Sequence, residues 1–198
     1  MAAILTLYGT GEGQTANVAD RVVDALRDRG HDAEARDVRE LPADVDLDRY
    51  DAVLVGASIH AGTHQKAVRA FVDDHRDALA SVPTGFFQVC LTAALDDEES
   101  QAAAAGYVEE FVEATGWHPD RVGVFGGALR YSEYGFLERL LIKQIAKRTT
   151  GDTDTSRDYE YTDWAEVDAF AADFAAFVEG RLGTVPPATE SGPEADSE

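Results

Sequence analysis

The residues best suited to chemistry lie in a short run of glycines and hydroxyl side chains near the start of the chain. Tyr8-Gly9-Thr10-Gly11-Glu12-Gly13-Gln14-Thr15 follows the apolar run Ala3 to Leu7 and precedes a helical pattern of Val18, Val22, Ala25 and Leu26. The order predicts a strand, a tight loop and a helix N-terminus. Glycines let backbone N–H groups approach an anion, and the helix start adds free donors and the positive end of its dipole. Thr10 and Thr15 add hydroxyl donors, and Gln14 adds an amide. No Lys or Arg lies in the loop, so a phosphate there is held by uncharged donors. Two further stretches suit a flat ring. In Gly56-Ala57-Ser58-Ile59-His60-Ala61-Gly62-Thr63-His64, the residues Ala57, Ser58 and Ile59 can lie against a ring face, while His60 and His64 can stack or donate. Leu91-Thr92-Ala93-Ala94-Leu95 carries no charge until Asp96 and can form the other wall.

Two better-known phosphate loops fail here. The P-loop needs Gly-Lys-[Ser/Thr], and Gly-Lys occurs nowhere in the chain. The dinucleotide fingerprint G-x-G-x-x-G needs a spacing that glycines at 9, 11 and 13 do not have. Asp37, at the end of the expected second strand, can imitate a ribose-binding acid, which keeps an NAD(P)H reading open. A Gly-rich turn without ligand is the plain alternative. No metal site is expected, because Gly62 separates His60 from His64 and no third ligand lies near. No Ser/His/Asp triad or carboxylate pair points to hydrolysis, so no catalytic side chain is assigned.

The positioning elements follow from periodicity. Strands are expected over Ala3–Tyr8, Asp32–Asp37, Ala52–Gly56, Thr84–Leu91 and Arg121–Ala128. Three of them are nearly continuous apolar runs, as in parallel strands covered on both faces. Helices are expected over Thr15–Arg29, Gln65–Ala80 and Glu99–Thr115, and again from about Trp164, where Val167, Phe170, Phe174, Phe177 and Val178 form a one-faced stripe. Five βα units predict an α/β fold with a doubly wound five-stranded parallel sheet. Ligands in that architecture bind beyond the C-terminal strand ends, which selects the loops 9–15, 57–64 and 91–98.

Composition sets outer bounds. A chain of 198 residues fits one domain, read as residues 1–182, with an acidic disordered tail over 183–198. The net charge is −21, with only three lysines, Lys66, Lys143 and Lys147. Such dispersed acidity resembles proteins that stay hydrated in strong brine, or simply an acidic cytoplasmic protein. It argues against nucleic-acid binding, because phosphates are repelled. Cys90 is the single cysteine; it sits in an apolar run and reads as a buried small residue in a reducing compartment. No basic leader and no apolar stretch of about 20 residues is present. A soluble cytoplasmic protein is expected, with at most peripheral contact at the inner face of the membrane.

One segment exceeds an ordinary loop. About thirty residues separate the fifth strand from the last helix. Phe136, Leu137, Leu140, Leu141 and Ile145 fall on one helical arc, edged by Arg139, Lys143 and Lys147 at i, i+4, i+8. Between Arg130 and Arg148 five bases (Arg130, Arg139, Lys143, Lys147, Arg148) oppose two acids (Glu133, Glu138), a local charge of +3. A basic amphipathic helix can rest on an anionic membrane or meet an acidic ligand. It can equally pack on the domain with its basic edge in water.

Thr10-x-x-Gly13-Gln14-Thr15 resembles the phosphate loop of flavodoxins, which bind FMN. The blocks Gly126-Gly127-Ala128-Leu129-Arg130-Tyr131 and Tyr161-Thr162-Asp163-Trp164 sharpen the likeness, with Gly151-Asp152-Thr153-Asp154-Thr155, Gly56-Ala57-Ser58-Ile59 and Trp117-His118-Pro119-Asp120-Arg121 in support. Together they resemble the flavodoxin-like, menaquinone-dependent protoporphyrinogen IX dehydrogenase family over roughly residues 3 to 178. The resemblance implies FMN at Thr10, Gly11, Glu12, Gly13, Gln14, Thr15, Ala57, Ser58, Ile59, His60, Leu91, Thr92 and Ala93. It also implies a helical insert at about 130–160, after or within the fifth strand, facing a tetrapyrrole and a membrane quinone. Arg130, Lys143 and Lys147 are candidates for the propionates or the membrane, with Arg139 on the same stripe; Tyr131 and Tyr134 are candidates for the tetrapyrrole site. An electron-carrier flavodoxin, an NAD(P)H:quinone reductase and a ligand-free regulatory domain are the alternatives. The acidic surface departs from the more basic family pattern.

Overall fold

Alternation of apolar and small residues along the strands places side chains on two faces of a central sheet, and helices cover both. The computed structural model describes residues 1–42, 45–60, 62–129 and 159–183. The elements are β1 (Ala3–Gly9), α1 (Gln14–Asp28), β2 (Asp32–Asp37), β3 (Ala52–His60), β4 (Thr63–His64), α2 (Lys66–Asp74), α3 (Arg76–Ser81), β5 (Thr84–Cys90), α4 (Glu98–Thr115), β6 (Arg121–Gly126), β7 (Ala128–Leu129), β8 (Tyr159–Glu160) and α5 (Trp164–Leu182).

Strand order in the main sheet is β2-β1-β3-β5-β6, all parallel. This is the doubly wound sheet expected from the sequence. Alternate residues of each strand feed opposite cores. Ile4, Leu54, Phe87 and Phe125 pack with Val18, Val22 and Leu26 of α1 and Phe170, Phe174 and Val178 of α5. Leu5, Leu7, Val53, Val55 and Phe86 pack with Val68 and Val72 of α2, Leu79 of α3 and Phe111 of α4. Phe170 and Phe174 of the last helix's stripe are therefore core, whereas Phe177 is half-buried with the Arg121 guanidinium 4.2 Å above its ring. Cys90 is buried at 3% exposure.

Three boundaries differ from the periodicity. β3 runs on to His60 and folds back on β4 in an antiparallel hairpin, Ile59 opposite His64 and His60 opposite Thr63. The mixed residues over 57–60 imitate a loop in the sequence, but Ala57 and Ser58 stay in the ladder with β1 and β5, and Ile59 and His60 pair with His64 and Thr63. The helix expected over 65–80 is two helices. They meet at His75, whose ring stacks on Phe71 at 4.4 Å and whose Nδ1 lies 2.9 Å from the Phe71 carbonyl oxygen. β6 ends at Gly126, and the chain leaves the sheet to form a ribbon in which Ala128 pairs with Glu160 and Leu129 with Tyr159. Residues 130–158 start and finish on that ribbon. The basic stripe, Tyr131, Tyr134 and the helix read from periodicity lie outside the described residues, as does the tail beyond Gly183.

Candidate active site

The C-terminal ends of β1, β3 and β5 lie side by side. Gly9 is opposite Ala57 and Ser58 is opposite Val89, so the three selected loops share one edge of the sheet. The reversal of strand order falls between β1 and β3, where such sheets open a crevice.

The first loop leads into α1 with a left-handed Gly13 at φ 88°, a conformation that favours glycine. The Gly13 N–H donates to Thr10 Oγ1 at 2.8 Å, which leaves the Thr10 proton free to donate elsewhere. Gly11 is exposed with nothing within 4 Å of where a side chain would begin. Glu12 is half-buried on the same loop. The long helices differ in how they start. Asp97 caps α4 and Asp163 caps α5, each with an acid in the first turn; α1 has neither a side-chain cap nor a first-turn acid. An uncapped N-terminus keeps its donors and its positive dipole end for an external anion. Thr15 lies in that first turn at 1% exposure, and its hydroxyl has no hydrogen-bond partner. A buried, unpaired hydroxyl costs about 1–3 kcal/mol. That orphan and the open start of α1 fit a phosphate.

Gln14 is partly committed. Its Nε2 donates to Thr162 Oγ1 at 2.8 Å, and its Oε1 accepts from Asn17 Nδ2 at 3.2 Å. The second loop is held by two glutamines outside its motif. Gln65 accepts from the Ser58 N–H at 3.0 Å, and its Nε2 donates to Ser58 Oγ. Gln88, fully buried in β5, faces His64 Nε2 at 2.9 Å and donates to the Ala104 carbonyl at 2.9 Å. His64 therefore packs and bonds inward, its ring tilted against Phe111 at 4.7 Å, and burial pushes its pKa down to about 4. His60 is exposed at the hairpin end. A glutamine inside the run Phe86-Phe87-Gln88-Val89-Cys90 was the available signal, since a polar side chain in a buried strand must have partners.

The third loop, Leu91–Ala94, is a short 3-10 turn and is half-buried. Thr92 Oγ1 donates to Cys90 Sγ at 3.3 Å, and Gln101 Nε2 donates to the Leu95 carbonyl at 2.6 Å. Its exposed wall is small and uncharged. On the far side of β1, Asp37 is buried at 7%, and Arg39 occupies it through its guanidinium and its backbone N–H. That hydrogen-bonded pair holds the Asp37 carboxyl below its ordinary range. Asp37 is thus already used within the chain, which removes the one residue that favoured a dinucleotide.

The solved structures similar to this chain share the fold. The flavodoxin of Streptococcus pneumonia aligns with a TM-score of 0.54 at 18% identity, over 91% of this chain and 99% of that one. A short-chain flavodoxin associated with a bacterial microcompartment aligns at 0.57 and 14% identity, over 90% and 99%. A flavodoxin domain model matches residues 5–156. Fold and first loop define the class, a flavodoxin-type FMN oxidoreductase. Among curated relatives, the protoporphyrinogen IX dehydrogenase [quinone] of Leishmania major is 39% identical over 173 residues, 87% of this chain and 74% of that protein. The Escherichia coli protein of the same name is 35% identical over 171 residues, 86% and 93%. The chain belongs to the flavodoxin domain family and, within it, to the quinone-dependent protoporphyrinogen IX dehydrogenases.

Proposed function

We propose that this protein dehydrogenates protoporphyrinogen IX, or a related tetrapyrrole, in successive two-electron steps and passes the electrons to a membrane quinone such as menaquinone. The observation that carries the reading is 35–39% identity to enzymes of that name over most of the chain. FMN, when bound, supplies the hydride acceptor and the electron store. The chain's part is to hold and enclose. Thr10, Thr15 and the N–H groups of Gly11 and the α1 start receive the phosphate, with Glu12, Gly13 and Gln14 shaping the loop. Ala57, Ser58, Ile59 and His60 line one side of the ring, and Leu91, Thr92 and Ala93 line the other. Small uncharged walls keep water and competing bases away without adding a charge that would bias the ring. Arg130, Tyr131, Tyr134, Arg139, Lys143 and Lys147 are assigned on sequence to the tetrapyrrole and the lipid surface. No helix among the described residues is long and apolar enough to cross a membrane. In this reading the basic stripe brings the protein to the inner face of the membrane, where the quinone lies.

The test is anaerobic reduction of the purified flavoprotein by protoporphyrinogen IX, set against NADH, followed by reoxidation with a menaquinone analogue. Bleaching by the porphyrinogen and recovery with the quinone are expected. Bleaching by NADH alone would replace this reading with an NAD(P)H:quinone reductase. Reduction only by a protein donor would make the chain an electron carrier.

A further inference from the structure

The hydroxyl of Thr162 lies where two parts of the site meet. It donates its one proton to the Gly126 carbonyl at 2.7 Å and accepts from Gln14 Nε2 at 2.8 Å. The assignment is forced, because a carbonyl only accepts and Gln14 must then present its N–H. Asn17 fixes the other end of the same amide. Gln14 is 5% exposed, so water offers little substitute.

The contact continues in both directions. The Tyr161 N–H donates to the Gly127 carbonyl at 3.0 Å, and the Gly127 N–H donates to the Cys90 carbonyl at 3.1 Å. A side chain on Gly126 would come within 2.4 Å of the Tyr161 carbonyl oxygen, so the two backbones touch there. Hydrogen bonds, joined by the single peptide link between Gly126 and Gly127, thus run from the first residue of α1, through Thr162, to the root of the β7–β8 ribbon and the end of β5. Residues 130–158 leave and return on that ribbon.

We propose that Thr162 is a positioning residue that couples the phosphate loop to the ribbon carrying residues 130–158. Phosphate bound at the start of α1 orders Gln14. Gln14 then orders Thr162, and Thr162 holds Gly126 and Tyr161 in register. Ligand occupancy at one end and ribbon order at the other are reciprocal, as any linkage requires. The inference rests on the phosphate-loop reading above.

The test is amide hydrogen exchange on the full chain, apo, with FMN and with riboflavin, for wild type, Thr162→Val and Thr162→Ser. In wild type, FMN slows exchange over residues 11–15 and also, by fivefold or more, at Gly127 and Tyr161. Riboflavin lacks the phosphate and leaves Tyr161 exchange unchanged. Thr162→Val keeps the protection at 11–15 and loses it at Tyr161; Thr162→Ser, which restores the hydroxyl, regains it. Gln14→Met repeats the loss at Tyr161 should Thr162→Val fail to fold. Equal FMN-dependent slowing at Tyr161 in wild type and Thr162→Val overturns the coupling. Equal slowing by riboflavin, which needs no variant, overturns it as well. Absence of slowing at 11–15 in wild type removes the phosphate-loop reading, and the coupling falls with it.

Discussion

The Thr15 hydroxyl, like that of Thr6, has a cost without a visible return, but it alone of the two lies in the first turn of α1. It is buried and unpaired, which stabilises nothing in the isolated chain. Thr15→Val keeps the shape and removes the orphan. The apoprotein should be as stable as wild type or about 1 kcal/mol more so, while FMN affinity falls about tenfold, the worth of one good hydrogen bond. Denaturation of the apoprotein and a flavin fluorescence titration read the two effects, and unaltered FMN affinity would detach Thr15 from the phosphate. His64 gives a second residue-level expectation. Unfolded, its ring takes a proton near pH 6.5; folded, burial delays this to about pH 4. Between those values the unfolded state binds more protons, so stability falls as pH drops through the window. The full loss is on the order of 3 kcal/mol. Asp37 and Glu179, held low by Arg39 and Arg29, lose their contributions only further into acid. His64→Gln should therefore flatten the dependence of urea-unfolding free energy on pH between 5 and 7. A slope identical to wild type would show that the ring is not held neutral. The motif marks Thr15 as a donor, but its isolation depends on packing; the sequence leaves His64 free to stack or donate, and its inward turn depends on Gln88 across the sheet.

Elements were more legible than their ends. Strand cores such as Val53–Val55 and Phe86–Val89 announce themselves by apolar runs, and α5 by the spacing of Val167, Phe170, Phe174 and Val178; the Asp97 and Asp163 caps of α4 and α5 are seen only in the structure. The extension of β3 past Gly56 does not announce itself, because Gly56 and Ala57 have weak strand preference and are held there by β1 and β5 on either side. The break at His75 is likewise a side-chain contact, invisible to periodicity. The three candidate loops share one edge because a parallel sheet aligns its strand ends whatever the details of each strand. At this scale the basic stripe of residues 139–147 makes its own prediction. Replacing Arg139, Lys143 and Lys147 together with Gln hardly changes helix propensity. FMN content should stay normal, while porphyrinogen–quinone turnover and binding to anionic liposomes fall severalfold at low salt. Wild-type values for both would reduce the stripe to a solvated edge.

For the molecule as a whole, charge and fold are nearly independent facts. The sheet order β2-β1-β3-β5-β6 follows from alternating elements, whereas a net charge of −21 could clothe many folds. Its consequence is in solution behaviour. Excess like charge repels itself in dilute buffer, and salt shortens the range of that repulsion. The melting temperature should climb as KCl is raised toward molar concentrations. A flat or falling curve in a thermal scan would leave the acidity without a stabilising partner in salt. The ribbon has a consequence of a different kind. Because Leu129 lies opposite Tyr159, the chain returns to the point it left, and the sheet meets the same two ends whatever runs between them. Residues 130–158 are in that sense a cassette. Their length and sequence can drift, or be exchanged wholesale, without shifting the register of a single core strand. A lineage could thus acquire new chemistry at this site while inheriting its scaffold unchanged.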